Sequence, residues 1–155
     1  MIIRLAHKSD IPTIKRIIER NFDEIISKDH SIDVVEKYKA HNTEQSLLAQ
    51  MQWKKIYVAI EDDEIIGTGA FANLTCTDKP NYCISNLYIM PEYQGKGVGH
   101  KIVEVLFIDF FATNADMFRV PSTRGAIDFY KKFGFIEDVE QPDISDEITW
   151  MTYTK

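Results

Sequence analysis

The stretch of residues 86–99 constrains this 155-residue chain most, because three structural signals follow one another in it without interruption. Residues 86–90 alternate as a β-strand does, and Pro91 ends the pattern, since proline cannot donate to a strand ladder. Three glycines then occupy alternate positions: Gly95, Gly97 and Gly99. Apolar residues at four-residue spacing follow, namely Val98, Ile102, Leu106 and Phe110. The stretch therefore predicts a strand, a glycine-rich turn and a helix.

A glycine-rich turn that opens a helix suits an anion. The first backbone N–H groups of a helix have no intrahelical partner. The helix dipole adds roughly half a positive charge at the same end. Glycines leave room for a ligand and permit positive φ. The turn is thus a candidate cradle for a pyrophosphate, and a plain tight turn is the alternative on local chemistry alone.

The glycine spacing does not match two common phosphate-binding motifs. The dinucleotide motif requires Gly-x-Gly-x-x-Gly, whereas position 100 of this chain is His100. The P-loop requires Gly-Lys followed by Ser or Thr, whereas Gly97 follows Lys96. These mismatches disfavour a nucleotide-binding domain.

The same turn resembles the acyl-CoA loop of the GCN5-related N-acetyltransferase (GNAT) family, written Gln/Arg-x-x-Gly-x-Gly/Ala. Gln94, Gly97 and Gly99 fill that pattern. A second stretch, residues 126–135 with the sequence AIDFYKKFGF, is similar to the family's Ala-x-x-Phe-Tyr-x-x-x-Gly-Phe. Two motifs in the family's order are far more specific than either alone. The resemblance spans nearly the whole chain.

Composition limits the class of protein. The length favours one domain, and the resemblance implies a single N-acetyltransferase domain over residues 1–155. No apolar run of about 18 residues exists, so no membrane span is expected. Cys76 and Cys83 form neither a disulfide framework nor a zinc pattern, and the first residues lack a signal peptide, which favours a reduced, cytoplasmic protein without a metal. The net charge of −6 argues against nucleic-acid binding.

The remaining patterns predict a mixed α/β fold with helices covering a sheet. The predicted order is strand, two helices, three strands, helix, strand, helix and two strands. The resemblance implies a sheet of about six to seven strands and about four helices, with a split between the fourth and fifth strands. The helix over 98–111 is apolar on almost every side and is expected to be largely buried. Pro121 is expected to close the fifth strand, and Ser122 or Thr123 to cap a helix that Gly134 ends.

The resemblance also implies where acetyl-CoA binds. Its pantetheine arm would pair with the backbone of the fourth strand, and its pyrophosphate would bind the amides of the glycine turn. The expected binding residues are Leu87, Tyr88, Ile89, Gln94, Gly95, Lys96, Gly97, Val98, Gly99, Thr123 and Ala126. A solvated side chain is the alternative for Lys96.

Acyl transfer from a thioester to an amine needs a deprotonated amine, a donor for the carbonyl oxygen and an acid for the departing thiolate. The resemblance implies that the backbone amide of Tyr88 or Ile89 is the donor and that Tyr130 is the acid. A core aromatic with a satisfied hydroxyl is the alternative for Tyr130.

Two positions depart from the family pattern. Thr123 stands where an asparagine is frequent, and Ser85 stands where many members carry a glutamate that acts as base. Serine cannot accept a proton near neutral pH, but it can hold a water that passes the proton to solvent. His41 of the variable helical segment is the alternative base. Tyr38, His41 and Trp53 are candidates for lining the acceptor pocket, with core aromatics and a solvated histidine as the alternative.

These observations predict an acetyl-CoA-dependent N-acetyltransferase that acts on an amine of a small molecule or peptide. Tyr130 favours this hypothesis. The missing glutamate at Ser85 keeps open a non-catalytic acyl-CoA-binding or sensor module. A homodimer is a further expectation, because small domains of this family often pair.

Overall fold

The computed structural model describes residues 1–138 and 147–155, and the turn predicted at residues 141–143 lies outside them. The strands are β1 (Ile2–Leu5), β2 (Lys54–Glu61), β3 (Glu64–Asn73), β4 (Tyr82–Ile89), β5 (Met117–Ser122), β6 (Ile136–Glu137) and β7 (Thr149–Thr154). The α-helices are α1 (Ile11–Glu24), α2 (Ile32–Ala40), α3 (Glu44–Gln50), α4 (Val98–Phe111) and α5 (Ile127–Lys131). The predicted α/β class is confirmed. The predicted element order holds except that the second predicted helix is two helices, α2 and α3, separated by residues 41–43.

The strands form one mixed sheet in the order β1-β2-β3-β4-β5-β7-β6. All neighbouring pairs are antiparallel except β4 and β5, which are parallel. This parallel pair is short, because only Tyr82 with Phe118 and Cys83 with Arg119 are in register. Beyond that point the two strands no longer pair with each other, although β4 stays paired with β3 and β5 with β7. The predicted split between the fourth and fifth strands is therefore confirmed.

A β-bulge in β4 lies just beyond the last residues that pair with β5. On β3, Thr68 pairs with Tyr88 and Ala70 with Ser85, so two residues of β4 oppose Gly69. One of them, Asn86, has a φ of 52°. An extra residue bends the bulged strand and increases its twist. The bend thus falls where β4 and β5 part.

Helices cover both faces of the sheet. Val58 and Ala59 follow each other in β2, so their side chains point to opposite faces. Val58 packs in a core with the apolar face of α1, whereas Ala59 packs in a core with α4. The buried side chains of α4 are Val98, Ile102, Val103, Leu106 and Phe110. None of the helices in the described ranges is long and apolar enough to cross a membrane.

Three local predictions need correction. The helix α4 is not buried on every side. Ile108 is 69% exposed and Phe111 is 53% exposed, on the side of the helix that does not face the sheet. Pro121 does not close β5 but lies inside it opposite Trp150. It is tolerated there because β5 has already lost β4 as a partner. The helix predicted before Gly134 is a 3-10 turn (Arg124–Ala126) followed by the short α5.

Candidate functional site

The split between β4 and β5 opens a cavity of about 700 Å³. The structure brings together on its wall all but one of the residues predicted for the site. These are Ser85, Leu87, Tyr88, Ile89, Gln94, Gly95, Gly97, Val98, Gly99, Thr123, Ala126 and Tyr130. The exception is Lys96, which is exposed and whose Nζ lies 5.3 Å from the centre of the Tyr93 ring.

The glycine turn has the conformation and the free space that an anion requires. Gly97 precedes the first residue of α4 and has a φ of 84°, and Gly95 has a φ of 73°. A Cβ added at either glycine would meet no atom within 4 Å, so the protein leaves this space open. Gly99 differs, because it lies in the helix without a positive φ and its added Cβ would contact the Phe129 ring at 3.4 Å. The open turn therefore fits a pyrophosphate at a helix N-terminus.

The buried amide of Asn21 anchors this turn to α1. Its Nδ2 donates to the carbonyl oxygens of Ile17 at 2.9 Å and of Ile89 at 2.8 Å. Its Oδ1 accepts from Nε2 of Gln94 at 3.1 Å. Asn21 was not among the predicted site residues, although a single polar residue on the otherwise apolar face of α1 is a usable signal.

The backbone of β4 directs one amide toward the cavity. Met90 N–H donates to the Ile66 carbonyl at 2.8 Å, so this residue pairs with β3. Hydrogen bonds alternate along an antiparallel strand, and the backbone of Tyr88 therefore faces β3 while that of Ile89 faces away from it. The Ile89 carbonyl already accepts from Asn21. Of the two predicted donors, it is the Ile89 N–H whose direction suits a ligand in the cleft.

Tyr130 reaches the cavity from α5. Its ring is 6% exposed and packs against Phe129 and Phe135, with centroid distances of 5.1 and 5.7 Å. Its hydroxyl makes no hydrogen bond to another residue of the described ranges. Burial raises the pKa of this hydroxyl well above its ordinary value, and the neighbouring Tyr88 adds to the effect. The group therefore keeps its proton at neutral pH, as an acid must.

Ser85 belongs to a polar network that the sequence analysis missed. Its Oγ accepts from Lys54 Nζ at 2.8 Å and donates to Asn86 Oδ1 at 3.1 Å. Gln50 Oε1 accepts from Lys54 Nζ and from Asn86 Nδ2, each at 2.9 Å. Burial lowers the pKa of Lys54 to about 8. No local sequence signal could have found this lysine, because it stands two strands away from Ser85 in the sheet.

The variable helical segment contributes two of its three candidate residues to the cavity. Tyr38 and His41 line the wall, and the Tyr38 ring stacks on Phe22 at 6.1 Å. Trp53 does not line the cavity and is not a core residue either, since it is 53% exposed. Its ring lies 4.9 Å from Lys54 Nζ.

Three basic side chains that the sequence analysis did not consider also line the cavity. His100 and Lys132 lie beside the glycine turn, where His100 packs on Phe133 at 4.7 Å. His30 lines another part of the cavity wall. Its Nδ1 contacts Glu147 Oε2 at 2.8 Å, and its Nε2 accepts from the Arg124 N–H at 3.3 Å. Of the three, Lys132 places a formal positive charge on the cavity wall.

Comparison with known proteins agrees with this geometry. A family model described as an acetyltransferase (GNAT) domain matches residues 52–137, which is more than half of the chain. A search of curated protein sequences finds no significant match.

Solved structures show the same fold at low sequence identity. A GCN5-related N-acetyltransferase from Rhodopseudomonas palustris is 20% identical, with a TM-score of 0.81 over 99% of this chain and 95% of that one. The PaiA N-acetyltransferase from Thermoplasma acidophilum, in complex with coenzyme A, is 18% identical, with a TM-score of 0.80 over 99% and 98%. A GNAT family acetyltransferase from Brucella melitensis, in complex with acetyl-CoA, is 19% identical, with a TM-score of 0.67 over 99% and 86%.

Proposed function

This chain belongs to the GNAT acetyltransferase family, and on that premise we propose that it transfers the acetyl group of acetyl-CoA directly to an amine of a small molecule or peptide. The observation that carries the proposal is one cavity that collects an open glycine turn, the Ile89 amide and the protonated Tyr130 hydroxyl. The bound coenzyme A and acetyl-CoA in two structural neighbours support the choice of cosubstrate. We further propose that residues 1–155 form one such domain.

The cosubstrate would extend along the split. Its pyrophosphate would bind the free amides from Gly95 to Gly99, with positive charge from Lys132 on the same cavity wall. Its pantetheine arm would follow the unpaired edge of β4 at Leu87 and Ile89. Because Asn21 fixes both the end of β4 and Gln94, these two binding regions keep a constant separation.

Two residues of this chain take part in the proposed acetyl transfer itself. As the amine attacks, the thioester carbonyl oxygen gains negative charge, and the Ile89 N–H stabilises it. The C–N bond forms, the C–S bond breaks, and the Tyr130 hydroxyl gives its proton to the departing thiolate. The new amide nitrogen loses its extra proton to solvent, from which Tyr130 regains one. Because burial raises its pKa, this hydroxyl is protonated before the thiolate forms.

Release of free thiol tests the proposal. The purified protein is incubated with acetyl-CoA and a panel of polyamines, amino acids, aminoglycosides and peptides, and the acetylated amine is identified by mass spectrometry. We expect amine-dependent thiol release with at least one class. Coenzyme A binding without acetylation of any amine would favour the sensor module, and absence of coenzyme A binding in calorimetry would contradict the site itself.

A further inference from the structure

We propose that Lys54 accepts the proton of the acceptor amine, taking the role that the family pattern gives to a glutamate at position 85. This inference rests on the acetyl transfer proposed above. Lys54 lies at the start of β2, and its side chain passes Ala72 of β3 to reach the Ser85 hydroxyl of β4. Lys54, Gln50 and Ser85 all line the cavity.

The hydrogen bonds of Lys54 suit a neutral amine. Its Nζ donates to Gln50 Oε1 at 2.9 Å and to Ser85 Oγ at 2.8 Å. A neutral lysine has two N–H groups and one lone pair, so these two bonds use both donors and leave the lone pair for an incoming proton. The Ser85 hydroxyl donates a hydrogen bond to Asn86 Oδ1, which leaves its oxygen as the acceptor toward Lys54.

The surroundings of Lys54 also disfavour a permanent charge. Within the described ranges, no carboxylate lies at ion-pair distance from its Nζ. The titratable group that faces it from β4 is Cys83, whose thiol pKa is raised by burial to about 12, and His41 lies on the same cavity wall. Burial outweighs the opposing effect of Cys83 and lowers the pKa of Lys54 to about 8, while the exposed Trp53 ring, 4.9 Å from Nζ, favours the ammonium. A base of that strength is poised near the working pH of most enzymes.

The proposed step is balanced and precedes the attack on the thioester. The acceptor ammonium gives one proton to neutral Lys54, which becomes an ammonium, and the acceptor becomes a neutral amine with a free lone pair. An α-amino group, with a pKa of about 7.7–8.0, is deprotonated by such a base without net cost. For an alkyl amine, with a pKa of about 10.4, the proton transfer to Lys54 is unfavourable by a factor of roughly 10².

The pH dependence of kcat/KM tests this role, with an alkyl amine from the panel as acceptor. For the natural protein we expect a rise with slope near one up to about pH 8 and a level region above it. In Lys54→Met the bend near pH 8 should vanish, and activity at pH 7 should fall by about 10²-fold. Lys55→Met is the matched control, because Lys55 is exposed and pairs with Asp109.

Lys54→Arg separates a base from a cation, since a guanidinium never becomes neutral. We expect this variant to lose the bend as Lys54→Met does. Natural activity in Lys54→Arg would show that the site needs positive charge, and it would overturn the proposal. A slope near one through pH 9 in the natural protein would also overturn it, in favour of a water held by Ser85.

A measurement that does not depend on catalysis tests the role of Lys54 separately from the proposed acetyl transfer. Trace acetic anhydride labels only neutral amines, and mass spectrometry then follows the labelling of Lys54 with pH. We expect half-maximal labelling near pH 8. Labelling with a midpoint near 10.4, the ordinary value for lysine, would overturn the role of Lys54 even in an active enzyme. Absence of acetylation with every amine would contradict the proposed function, while the labelling would still report on Lys54.

Discussion

At the scale of single residues, Tyr130 and Gly97 serve the two halves of the proposed reaction. Tyr130 presents a protonated hydroxyl to the cavity, and its ring is fixed between Phe129 and Phe135. Gly97 sets the start of α4 in a conformation that other residues rarely adopt. Substitution of Tyr130 should therefore affect turnover, and substitution of Gly97 should affect coenzyme A binding.

Replacing Tyr130 with phenylalanine removes the acid and keeps the ring. We expect Tyr130→Phe to lower kcat by about 10²–10⁴-fold, the usual contribution of a general acid, with little change in coenzyme A affinity. Stopped-flow turnover at saturating substrates measures the first effect and calorimetry the second. Tyr82→Phe, on the remote end of β4, is the matched control. Unchanged turnover with chemistry rate-limiting would make Tyr130 a core aromatic only.

A valine at Gly97 strains the turn, because a side chain disfavours a φ of 84°. The left-handed conformation costs an L-residue about 1–2 kcal/mol, so coenzyme A affinity should fall by about tenfold or more as the turn relaxes. Calorimetry with coenzyme A measures the loss. Gly134→Ala places similar strain at a φ of 95° outside the turn and should leave the affinity unchanged. Normal affinity in Gly97→Val would refute the loop assignment.

At the scale of elements, the corner between β1 and α1 depends on one carboxylate. Asp10 is 7% exposed and accepts from Arg4 Nη1 and from the His7 N–H, each at 2.7 Å. These bonds, with that to Arg4 the largest contribution, lower the pKa of Asp10 below its ordinary value. The corner in turn orients α1, whose Asn21 holds the end of β4. Substitution of Asp10 should therefore lower the stability of the fold more than it affects the proposed acetyl transfer.

We expect Asp10→Asn to reduce the free energy of unfolding by about 1–2 kcal/mol at pH 7, because hydrogen bonds to a charged group are lost. A carboxylate whose pKa is lower in the folded state stabilises the fold fully at pH values above its pKa in the unfolded state, about 3.9. This stabilisation is lost as the pH falls through the pKa of the folded state. The gap between Asp10→Asn and the natural protein should therefore close below about pH 4. Urea unfolding at several pH values measures it.

The control for that experiment is Asp23→Asn. Asp23 is 55% exposed and pairs with Lys39 on the surface, so its loss should cost less than about 1 kcal/mol. A gap at Asp10 that stays constant from pH 7 to pH 3 would show that the amide fails for a steric reason and not for its charge.

At the scale of the whole molecule, the cleft depends on how closely α4 approaches the sheet. Gly69 of β3 lies opposite the bulge of β4, and an added Cβ would come within 2.5 Å of Ile102 Cγ2 and 3.1 Å of Leu87 Cδ1. Ile102 is fully buried, so it has little room to move. The absent side chain at Gly69 thus lets α4 pack against the strands beside the split.

We expect Gly69→Ala to lower the free energy of unfolding by about 1–3 kcal/mol, the usual cost of overpacking a core. Urea unfolding measures the change. Gly125→Ala is the control, because its added Cβ would meet only a carboxylate oxygen of Asp29 at 3.7 Å. Equal stability of the two variants would show that α4 shifts away from the sheet without cost.

Features that a few neighbouring residues specify could be predicted from the sequence. The positive φ at Gly95 and Gly97 and the start of α4 at Val98 follow from local backbone requirements. Alternation and helical spacing also predicted the order of the elements, apart from the break between α2 and α3. The family motifs pointed to Tyr130, and the structure adds that it lines the cavity and that burial raises the pKa of its hydroxyl.

Contacts between residues far apart in the chain depend on the three-dimensional fold. Lys54 reaches Ser85 because β2, β3 and β4 lie side by side, and Asn21 reaches Ile89 because α1 packs beside β4. The exposure of Ile108 and Phe111 likewise depends on which side of α4 faces the sheet. These outcomes depend on strand pairing and packing between segments far apart in sequence, and no local pattern encodes such pairings.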